Sequence, residues 1–332
     1  MAKVLVTGGA GYIGSHVVKQ LGKAGYEVVV YDNLSTGSPK AILSGELVAG
    51  ELSDTSRLTG VFAQHRFDAV LHFAASISVP ESLQKPLDYY HNNTCNLVNL
   101  LQCCDRFGVK QLVFSSTAAV YGEIKQFPVA ESAPTMPINP YGKSKLMSEQ
   151  IIRDYAQASG LKYVILRYFN VAGADSSGHI GQQGKKAAHL IKIGCDAALG
   201  VRSSVSIFGT DYPTPDGTGI RDYIHVEDLA TAHLNALAYL EQESISQILN
   251  CGYGRGYSVR EVLAKIQEIS GADFSIIETE RRPGDPACVV ASGVKIRQVL
   301  GWQPQYDSLE EIVSSTLAWE QKKLLEEQSS SV

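Results

Sequence analysis

The stretch KVLVTGGAGYIGSH, residues 3 to 16, combines a short apolar strand, a glycine-rich turn and the start of a helix. Gly8, Gly11 and Gly14 follow the strand with the spacing GxxGxxG. Glycine permits a tight turn and lets the backbone approach a diphosphate, whose charge would lie at the positive end of the next helix. The stretch therefore predicts that the fold begins with a dinucleotide-binding unit.

An acidic residue at the end of the second predicted strand supports this interpretation. The run EVVVYD ends at Asp32, about 20 residues after the glycine turn. An acid at this place accepts hydrogen bonds from the adenine-ribose 2′-hydroxyl and repels a 2′-phosphate, which favours NAD over NADP. The alternative is a plain glycine-rich turn followed by an exposed aspartate at a strand end.

Short apolar runs alternate with longer helical patterns through the first half of the chain. These runs are KVLVTG (3–8), EVVVYD (27–32), ELVAGE (46–51), AVLHFA (69–74), QLVFSS (111–116) and YVILRYF (163–169). Continuous apolar runs separated by helices are typical of a parallel sheet that is covered on both faces. We therefore predict an α/β fold with a doubly wound, Rossmann-type parallel sheet.

The character of the sequence changes after residue 172. The segment GTDYPTPDGTG (209–219) is rich in turn residues, whereas residues 225–252 return to the helix and strand patterns of the first half. We expect an NAD-binding domain formed by residues 1–172 and about 224–252. A smaller C-terminal α/β substrate domain would comprise about 173–223 and 253–332.

The segment NPYGKSKLMSEQ, residues 139 to 150, indicates the chemistry. Asn139 suits a helix N-cap and Pro140 the first helical position, which would place Tyr141 and Lys145 on one helix face. Ionising a phenol at neutral pH requires a pKa shift of about 3 units, or roughly 4 kcal/mol. One positive charge at about 6 Å supplies roughly 3 kcal/mol. Lys145 with a second cation would therefore make Tyr141 a base; otherwise Tyr141 packs in the core and Lys145 is solvated.

Composition and charge limit the classes of partner. The 332 residues are 44% hydrophobic and 19% charged, as in an ordinary soluble globular protein. A net charge of −5 without a basic block argues against nucleic acid. No apolar run reaches about 18 residues, and the N-terminus enters a strand at once. We therefore expect no membrane span, no signal peptide and a cytoplasmic protein.

The six cysteines are scattered and form no CxxC pair. This distribution is typical of reduced, buried thiols and not of a disulfide framework or a zinc site. We therefore expect no bound metal.

These motifs together resemble the extended short-chain dehydrogenase/reductase superfamily, and the resemblance runs essentially end to end. It is carried by the glycine turn, by FSSTAAVYG (114–122) and by the YxxxK pair at 141 and 145. Four segments are similar to those of the UDP-glucose 4-epimerases: YGKSKLMSEQ, LRYFNVAGA (166–174), FGTDYPTPDGTGIRDYIHVEDLA (208–230) and RRPGD (281–285). This resemblance implies a homodimeric isomerase in galactose metabolism. It would use tightly bound NAD to invert C4 of a UDP-hexose reversibly through a transient 4-keto sugar.

The resemblance also implies a role for individual residues. Catalysis would depend on Tyr141, Lys145 and Thr117. Cofactor contacts would come from Gly8, Gly11, Tyr12, Ile13, Gly14, Asp32, Asn33, Glu51, Leu52, Phe73, Ala74, Ala75, Asn92, Ser115, Tyr141, Lys145 and Tyr168. Substrate contacts would come from Thr117, Tyr141, Asn170, His189, Leu190, Phe208, Arg221, Arg282, Asp285 and Val289.

The implied charges fit a nucleotide sugar. Arg221 and Arg282 can clamp a diphosphate with forked hydrogen bonds, and Asp285 can accept from ribose hydroxyls. Valine at position 289, where bulky residues exclude N-acetylated sugars in the family, implies a wider substrate range. Glu51 and His189 replace an Asp and an Asn found in many relatives.

Two other classes of function are compatible with parts of this pattern. A nucleotide-sugar 4,6-dehydratase would need acids directly after the threonine, but Thr117 is followed by Ala118 and Ala119. A decarboxylase or a simple ketoreductase would share the cofactor motifs. A regulatory nucleotide-binding protein would be expected to have lost one of Thr117, Tyr141 or Lys145, and all three are present.

Overall fold

The computed structural model describes residues 1–124, 126–183, 189–243, 245–282 and 284–329. In these ranges the strands are β1 (Lys3–Thr7), β2 (Glu27–Asp32), β3 (Glu46–Ala49), β4 (Ala69–His72), β5 (Gln111–Thr117), β6 (Lys162–Tyr168), β7 (Asn170–Ala172), β8 (Ser204–Phe208), β9 (Ile220–Arg221), β10 (Tyr223–His225), β11 (Gln247–Cys251), β12 (Tyr257–Ser258), β13 (Ser275–Thr279) and β14 (Cys288–Val289). The α-helices are α1 (Tyr12–Lys23), α2 (Thr55–Gln64), α3 (Val79–Gln84), α4 (Pro86–Tyr90), α5 (Asn96–Phe107), α6 (Pro140–Ser159), α7 (Leu190–Ala198), α8 (Val226–Gln242), α9 (Val259–Ser270), α10 (Val294–Leu300) and α11 (Leu309–Ser329).

The main sheet of the described chain has seven strands in the order β11-β6-β5-β4-β1-β2-β3. Every pair in it is parallel. The predicted Rossmann-type sheet is therefore confirmed, and all six apolar runs of the first half belong to it. The strand order reverses at β1, which lies between β4 and β2, so a crevice opens there at the carboxyl ends of the strands.

Helices cover both faces of the central strands of this sheet, which explains why those strands are largely apolar. Val4 and Val6 of β1 lie in one hydrophobic cluster together with residues of α1 and α8. Leu5, on the opposite face, lies in a second cluster with residues of α2 and α5. Successive side chains of a strand point to opposite faces, so a sheet covered on both sides requires an apolar residue at every position.

The chain after β7 forms smaller units and then returns to the main sheet. Short sheets pair β10 with β7, β13 with β8, and β12 and β14 with β9, while α7, α9 and α11 pack on one another. Helix α8 packs on α1, and β11 pairs with β6 at the edge of the main sheet.

A buried ion cluster joins α1 to the later part of the chain. The Lys19 ammonium on α1 lies 2.9 Å from Asp175 Oδ1 and 2.6 Å from Glu227 Oε1 at the start of α8. The Tyr12 hydroxyl donates to the carbonyl oxygen of Gly173 at 2.5 Å. These contacts fix the helix that follows the glycine turn against the segment after β7.

The cysteines differ slightly from the expectation. All six lie in described parts of the chain as free thiols, and five are buried, but Cys95 is exposed. Within the described ranges, no helix has both the length and the apolar character needed to cross a bilayer.

Candidate active site

The glycine turn between β1 and α1 has room for backbone alone. Gly8 has a φ of +72°, and a Cβ on it would lie 2.5 Å from the backbone nitrogen of Ala74. A Cβ on Gly14 would lie 2.3 Å from the carbonyl oxygen of Gly8. Both distances are far below normal van der Waals contact. The GxxGxxG spacing therefore lets the turn pack backbone against backbone, with the start of α1 and with the loop after β4.

The N-terminus of α1 is suited to bind an anion. Gly11 is the N-cap and provides no side-chain hydrogen bond to the first turn. The first N–H groups of a helix have no intrahelical partner, and the helix dipole makes this end positive. Tyr12 and Ile13 supply N–H groups here, while their side chains reach Gly173 and the hydrophobic core. An uncapped helix end above a bare glycine turn fits the diphosphate of a dinucleotide.

We expect Gly14→Ala to empty this site. The added methyl group must displace the Gly8 carbonyl, so we expect a loss of about 1–3 kcal/mol in stability and the loss of co-purifying NAD. Gly60→Ala in α2 is the matched control, because a Cβ there meets nothing within 4 Å. It should retain NAD and gain stability. Nucleotide released on denaturation and the unfolding midpoint report both effects; equal NAD content in the two variants would contradict the prediction.

The carboxyl ends of β2 and β3 carry the polar residues expected near the adenosine. Asp32 accepts from the Ala10 N–H at 2.9 Å and from the Leu34 N–H at 2.8 Å, so it fixes the glycine turn. The Asn33 amide donates to both carboxylate oxygens of Glu51 at 3.1 Å. Leu52 is 6% exposed, and its side chain belongs to the hydrophobic core.

The segment after β4 forms the opposite side of the crevice. Phe73 lies next to Gly8, and Ala74 follows it. The loop continues through Ala75 to Ser76, whose hydroxyl accepts from the Asn92 amide at 3.0 Å. Asn92 therefore faces the loop that the resemblance assigns to the dinucleotide.

Helix α6 places Tyr141 beside Thr117. Asn139 accepts from the Gly142 N–H at 2.9 Å, which confirms the predicted N-cap. A Cβ on Gly142 would lie 2.6 Å from the Ala119 carbonyl oxygen, so the helix start packs closely on the turn after β5. As a result the side chains of Tyr141 and Thr117 interact, and both are at least nine-tenths buried.

Lys145 lies one turn further along α6 and is 2% exposed. Its ammonium donates to the Ser115 carbonyl oxygen at 2.8 Å and lies 4.8 Å from the centre of the Phe114 ring. Burial lowers the pKa of Lys145 to about 7, against the opposing effect of Glu149. Burial raises the pKa of Tyr141, Tyr168 raises it further, and the hydrogen bond from Thr117 lowers it. Tyr141 is therefore a neutral phenol in the unliganded protein.

A second group of residues assigned to the substrate lies around β9 and β14. Arg221 and Val289 are paired in register, and an Arg221 nitrogen lies 3.8 Å from Asp285 Oδ1. The Arg282 guanidinium stacks 3.6 Å above the centre of the Phe208 ring. Arg282 and Asp285 are exposed. Arg221 is partly buried and its guanidinium also donates to the Ile220 carbonyl oxygen at 2.9 Å, while the Asp285 N–H donates to the Arg282 carbonyl oxygen at 3.2 Å.

Three further predicted substrate residues lie on neighbouring elements. Asn170 begins β7, and its N–H donates to the Asp222 carbonyl oxygen, next to Arg221. His189 is the exposed N-cap of α7 and makes no capping hydrogen bond, while Leu190 packs against the core. Within the described ranges, no hydrogen bond or ion pair joins the His189 side chain to Arg221 or Arg282.

Sequence reasoning missed two buried residues near these groups, one of which lies under the Arg281 guanidinium, 4.2 Å from it, next in sequence to Arg282. His233 of α8 lies 3.3 Å from the Ser115 hydroxyl and packs on Phe73 and Tyr168. Tyr212 is 7% exposed, and its hydroxyl finds no hydrogen-bond partner among the described residues. Neither residue belongs to a spacing pattern, and only their three-dimensional contacts identify them. Among the described residues, no His, Cys, Asp and Glu side chains group as metal ligands do.

Comparison with known proteins agrees with this geometry. Residues 4–252 match the model of the NAD dependent epimerase/dehydratase family. The chain is 56% identical to the UDP-glucose 4-epimerase of Azospirillum brasilense over 319 aligned residues. The alignment covers 96% of this chain and 92% of that protein.

Solved structures give the same result. The UDP-glucose 4-epimerase from Brucella ovis in complex with NAD is 42% identical with a TM-score of 0.93, covering 96% of this chain and 98% of that one. The UDP-Glc/GlcNAc 4-epimerase from Campylobacter jejuni is 48% identical with a TM-score of 0.86, covering 97% and 100%. The chain therefore belongs to the NAD dependent epimerase/dehydratase family and, within it, to the UDP-glucose 4-epimerases.

Proposed function

We propose that this protein is an NAD-containing enzyme that interconverts UDP-galactose and UDP-glucose by inverting C4 of the hexose. The observation that carries the proposal is the burial of Tyr141, Thr117 and Lys145 together where α6 packs on the end of β5, with the Lys145 ammonium fixed to the Ser115 carbonyl oxygen at 2.8 Å. A base and a second hydroxyl would thereby act together beside a crevice suited to a dinucleotide.

NAD would be held by the bare glycine turn, by the uncapped start of α1 and by Asp32 at the adenosine end. When bound, it supplies the hydride acceptor that a non-acidic C4–H bond requires. Lys145 would bind the nicotinamide ribose, and Ser115, Phe73 and Tyr168 would contribute to the same end of the cofactor pocket.

The acid–base work falls to Tyr141. It takes the proton of the sugar 4-hydroxyl group and returns it to the same oxygen once the 4-keto sugar has been reduced on its other face. The Lys145 ammonium stabilises the phenolate, and Thr117 shares the hydrogen bond to that oxygen. No net oxidation of the sugar results.

Inversion at C4 requires the hexose to turn over while the nucleotide stays bound. Arg221 and Arg282 would clamp the diphosphate, and Asp285 would accept from the uridine ribose. These residues lie on β9 and on the segment after β13, separate from the helix that carries Tyr141. Strong anchoring at the nucleotide leaves the hexose as the mobile part.

The substrate range would extend to N-acetylated UDP-hexoses. Val289 is a small residue at the position where the family limits pocket size, and it pairs in register with Arg221 of the proposed clamp. The 48% identical Campylobacter jejuni protein is a UDP-Glc/GlcNAc 4-epimerase. Conversion of UDP-N-acetylglucosamine, followed in parallel with UDP-galactose, tests this extension.

Proton NMR of the purified protein with UDP-galactose and no added cofactor is the first test. Appearance of UDP-glucose up to a constant ratio would support both the reaction and the retention of NAD. No change, even with NAD added, would overturn the substrate assignment. Signals of a 4-keto-6-deoxy sugar would instead point to the dehydratase, which the alanines at 118 and 119 disfavour.

A homodimer would form through α5 and α6. A shallow groove between these helices is lined by Val98, Leu101, Gln102, Asp105, Ile151 and Tyr155. Apolar side chains on α3 and α4, the short helices that pack on α6, are also exposed, with Leu83 at 61% and Leu87 at 78%. Exposed apolar surface of this kind marks interaction sites, and a second copy supplies a matching face.

We expect Val98→Arg to separate the dimer, because the guanidinium would be buried without a partner at the centre of the interface. Light scattering after gel filtration should give twice 35.9 kDa for the wild type and 35.9 kDa for the variant. Val201→Arg, at another exposed valine, should remain dimeric. A wild-type monomer, or a dimeric Val98→Arg variant, would remove this interface.

The remaining assignments concern the setting of the enzyme. Residues 1–172 and about 224–252 would bind NAD, and the rest of the chain would bind the UDP-sugar. Free thiols at all six cysteines favour a reducing compartment, and we propose the cytoplasm. Interconversion of UDP-galactose and UDP-glucose would serve galactose metabolism.

A further inference from the structure

His233 is the point where three residues assigned to the cofactor meet. Its ring lies 4.7 Å from that of Phe73 and 6.5 Å from that of Tyr168, measured between centroids. Its Nε2 lies 3.3 Å from the Ser115 hydroxyl. The side chain is fully buried on α8, a helix with no other residue in the proposed cofactor set.

The hydrogen bonds of the ring define its tautomer. Nδ1 lies 2.9 Å from the Leu229 carbonyl oxygen, which can only accept, so Nδ1 carries the proton. Nε2 is then an acceptor, and Ser115 must donate to it. Burial lowers the pKa of His233 to about 4, so the ring stays neutral through the physiological range.

This arrangement fixes the Ser115 hydroxyl and leaves its lone pairs for other donors. The Tyr168 side chain interacts with Ser115, which lowers the pKa of Tyr168 against the larger rise caused by burial. The main-chain carbonyl of the same serine accepts from the Lys145 ammonium at 2.8 Å. Ser115 is thus a junction at which α8, β6 and the catalytic helix are tied together.

We propose that His233 is a positioning residue of the cofactor pocket, acting through Ser115, Phe73 and Tyr168 on the end of the dinucleotide next to Lys145. The inference rests on the proposed function, since it assumes that these three residues face NAD. His233 belongs to no spacing pattern in the sequence. As a positioning residue it would make no direct contact with the reacting atoms.

Two variants separate the contacts of the ring. His233→Phe retains the aromatic packing but leaves the Ser115 hydroxyl without an acceptor. His233→Gln can restore an acceptor oxygen near the position of Nε2. Because a lost buried hydrogen bond weakens the positioning of everything tied to it, we expect His233→Phe to bind NAD about tenfold more weakly. His233→Gln should lie close to the wild type.

The test measures NAD per subunit after exhaustive gel filtration, together with the NAD dissociation constant of nucleotide-free protein. His65→Phe is the matched control, since His65 is also a buried histidine beside a phenylalanine ring but lies at the end of α2. It should retain NAD as the wild type does. Ser115→Ala provides a second route if His233→Phe does not fold, and it should weaken NAD binding to the same extent.

A double variant gives the sharpest result. If His233 acts through Ser115, the combined His233→Phe and Ser115→Ala changes should weaken NAD binding little more than either alone. Additive effects, or wild-type NAD affinity in His233→Phe, would overturn the inference. A wild type that binds NAD but converts no UDP-galactose would remove the proposed reaction and leave the role of His233 in NAD binding intact.

Discussion

Replacing Tyr141 by phenylalanine is expected to lower kcat by about 10³-fold while the affinity for UDP-galactose stays within a few-fold of wild type. Loss of a general base costs typically about 10²–10⁴ in rate. Thr117 is the nearest remaining hydroxyl, but a threonine cannot take up a proton at neutral pH. The proposed diphosphate clamp at Arg221 and Arg282 would be unchanged, so binding should survive.

The fold should also survive this substitution. Tyr141 is 7% exposed, and phenylalanine keeps its ring and removes only the hydroxyl. Tyr155→Phe is the matched control on the same helix, because its hydroxyl bonds to Asp105 and not to the site. Initial rates by NMR and binding by calorimetry give the two quantities. A Tyr141→Phe enzyme with a tenth of the wild-type kcat would overturn the assignment of the base.

The main sheet could be predicted because burial on both faces favours apolar residues along each strand. Each strand reads as a continuous apolar run, and Asn139 with Pro140 marks a helix start by local chemistry alone. The return of the chain to the main sheet was also visible, since QILNCG resembles the earlier strands. Local signals of this kind need no knowledge of distant contacts.

Contacts between distant segments were beyond the reach of the sequence. Nothing in it reveals that Gly142 packs against the Ala119 carbonyl, although this contact brings Tyr141 to Thr117. Similarly, His233 reads as one more residue of an amphipathic helix, and its place beside Ser115 follows from the packing of α8 on β5. A glycine turn is recognised by spacing, whereas a positioning residue is recognised only by what it touches.

The sequence also could not predict how burial shifts the pKa values of Tyr141 and Lys145. A lysine beside a tyrosine suggested a lowered phenol pKa, but burial raises the pKa of Tyr141 and lowers that of Lys145 to about 7. The unliganded protein therefore holds Tyr141 as a neutral phenol, and burial disfavours the charged form of both groups. A second cation, which NAD carries when bound, is needed to shift the balance.

Lys145→Met is expected to lower kcat by about a hundredfold or more, since one charge at about 6 Å contributes roughly 3 kcal/mol to a phenolate. Methionine fills most of the same space beside Phe114 without the charge. Lys143, on the same helix and solvent-exposed, provides the control: Lys143→Met should keep the wild-type kcat. A Lys145→Met variant with unchanged kcat would show that the ammonium does not support the base.

The same variant should carry a distinct signature in stability. The pKa of Lys145 is about 7 in the folded, nucleotide-free protein, whereas a lysine in an unfolded chain titrates near about 10.4. Between these two pKa values the unfolded chain binds more protons than the folded protein, so the stability of the wild type rises with pH across this window. Below the window both states are protonated, and the full cost of the buried charge remains. Lys145→Met lacks this dependence. The melting temperature of the wild type, relative to that of the variant, should therefore increase from pH 7 toward pH 10, and a constant difference would place the folded-state pKa near its ordinary value. Removal of this lysine would then lower activity and, at low pH, raise stability relative to the wild type. Such a result would mean that the buried ammonium is retained for catalysis although it destabilises the fold.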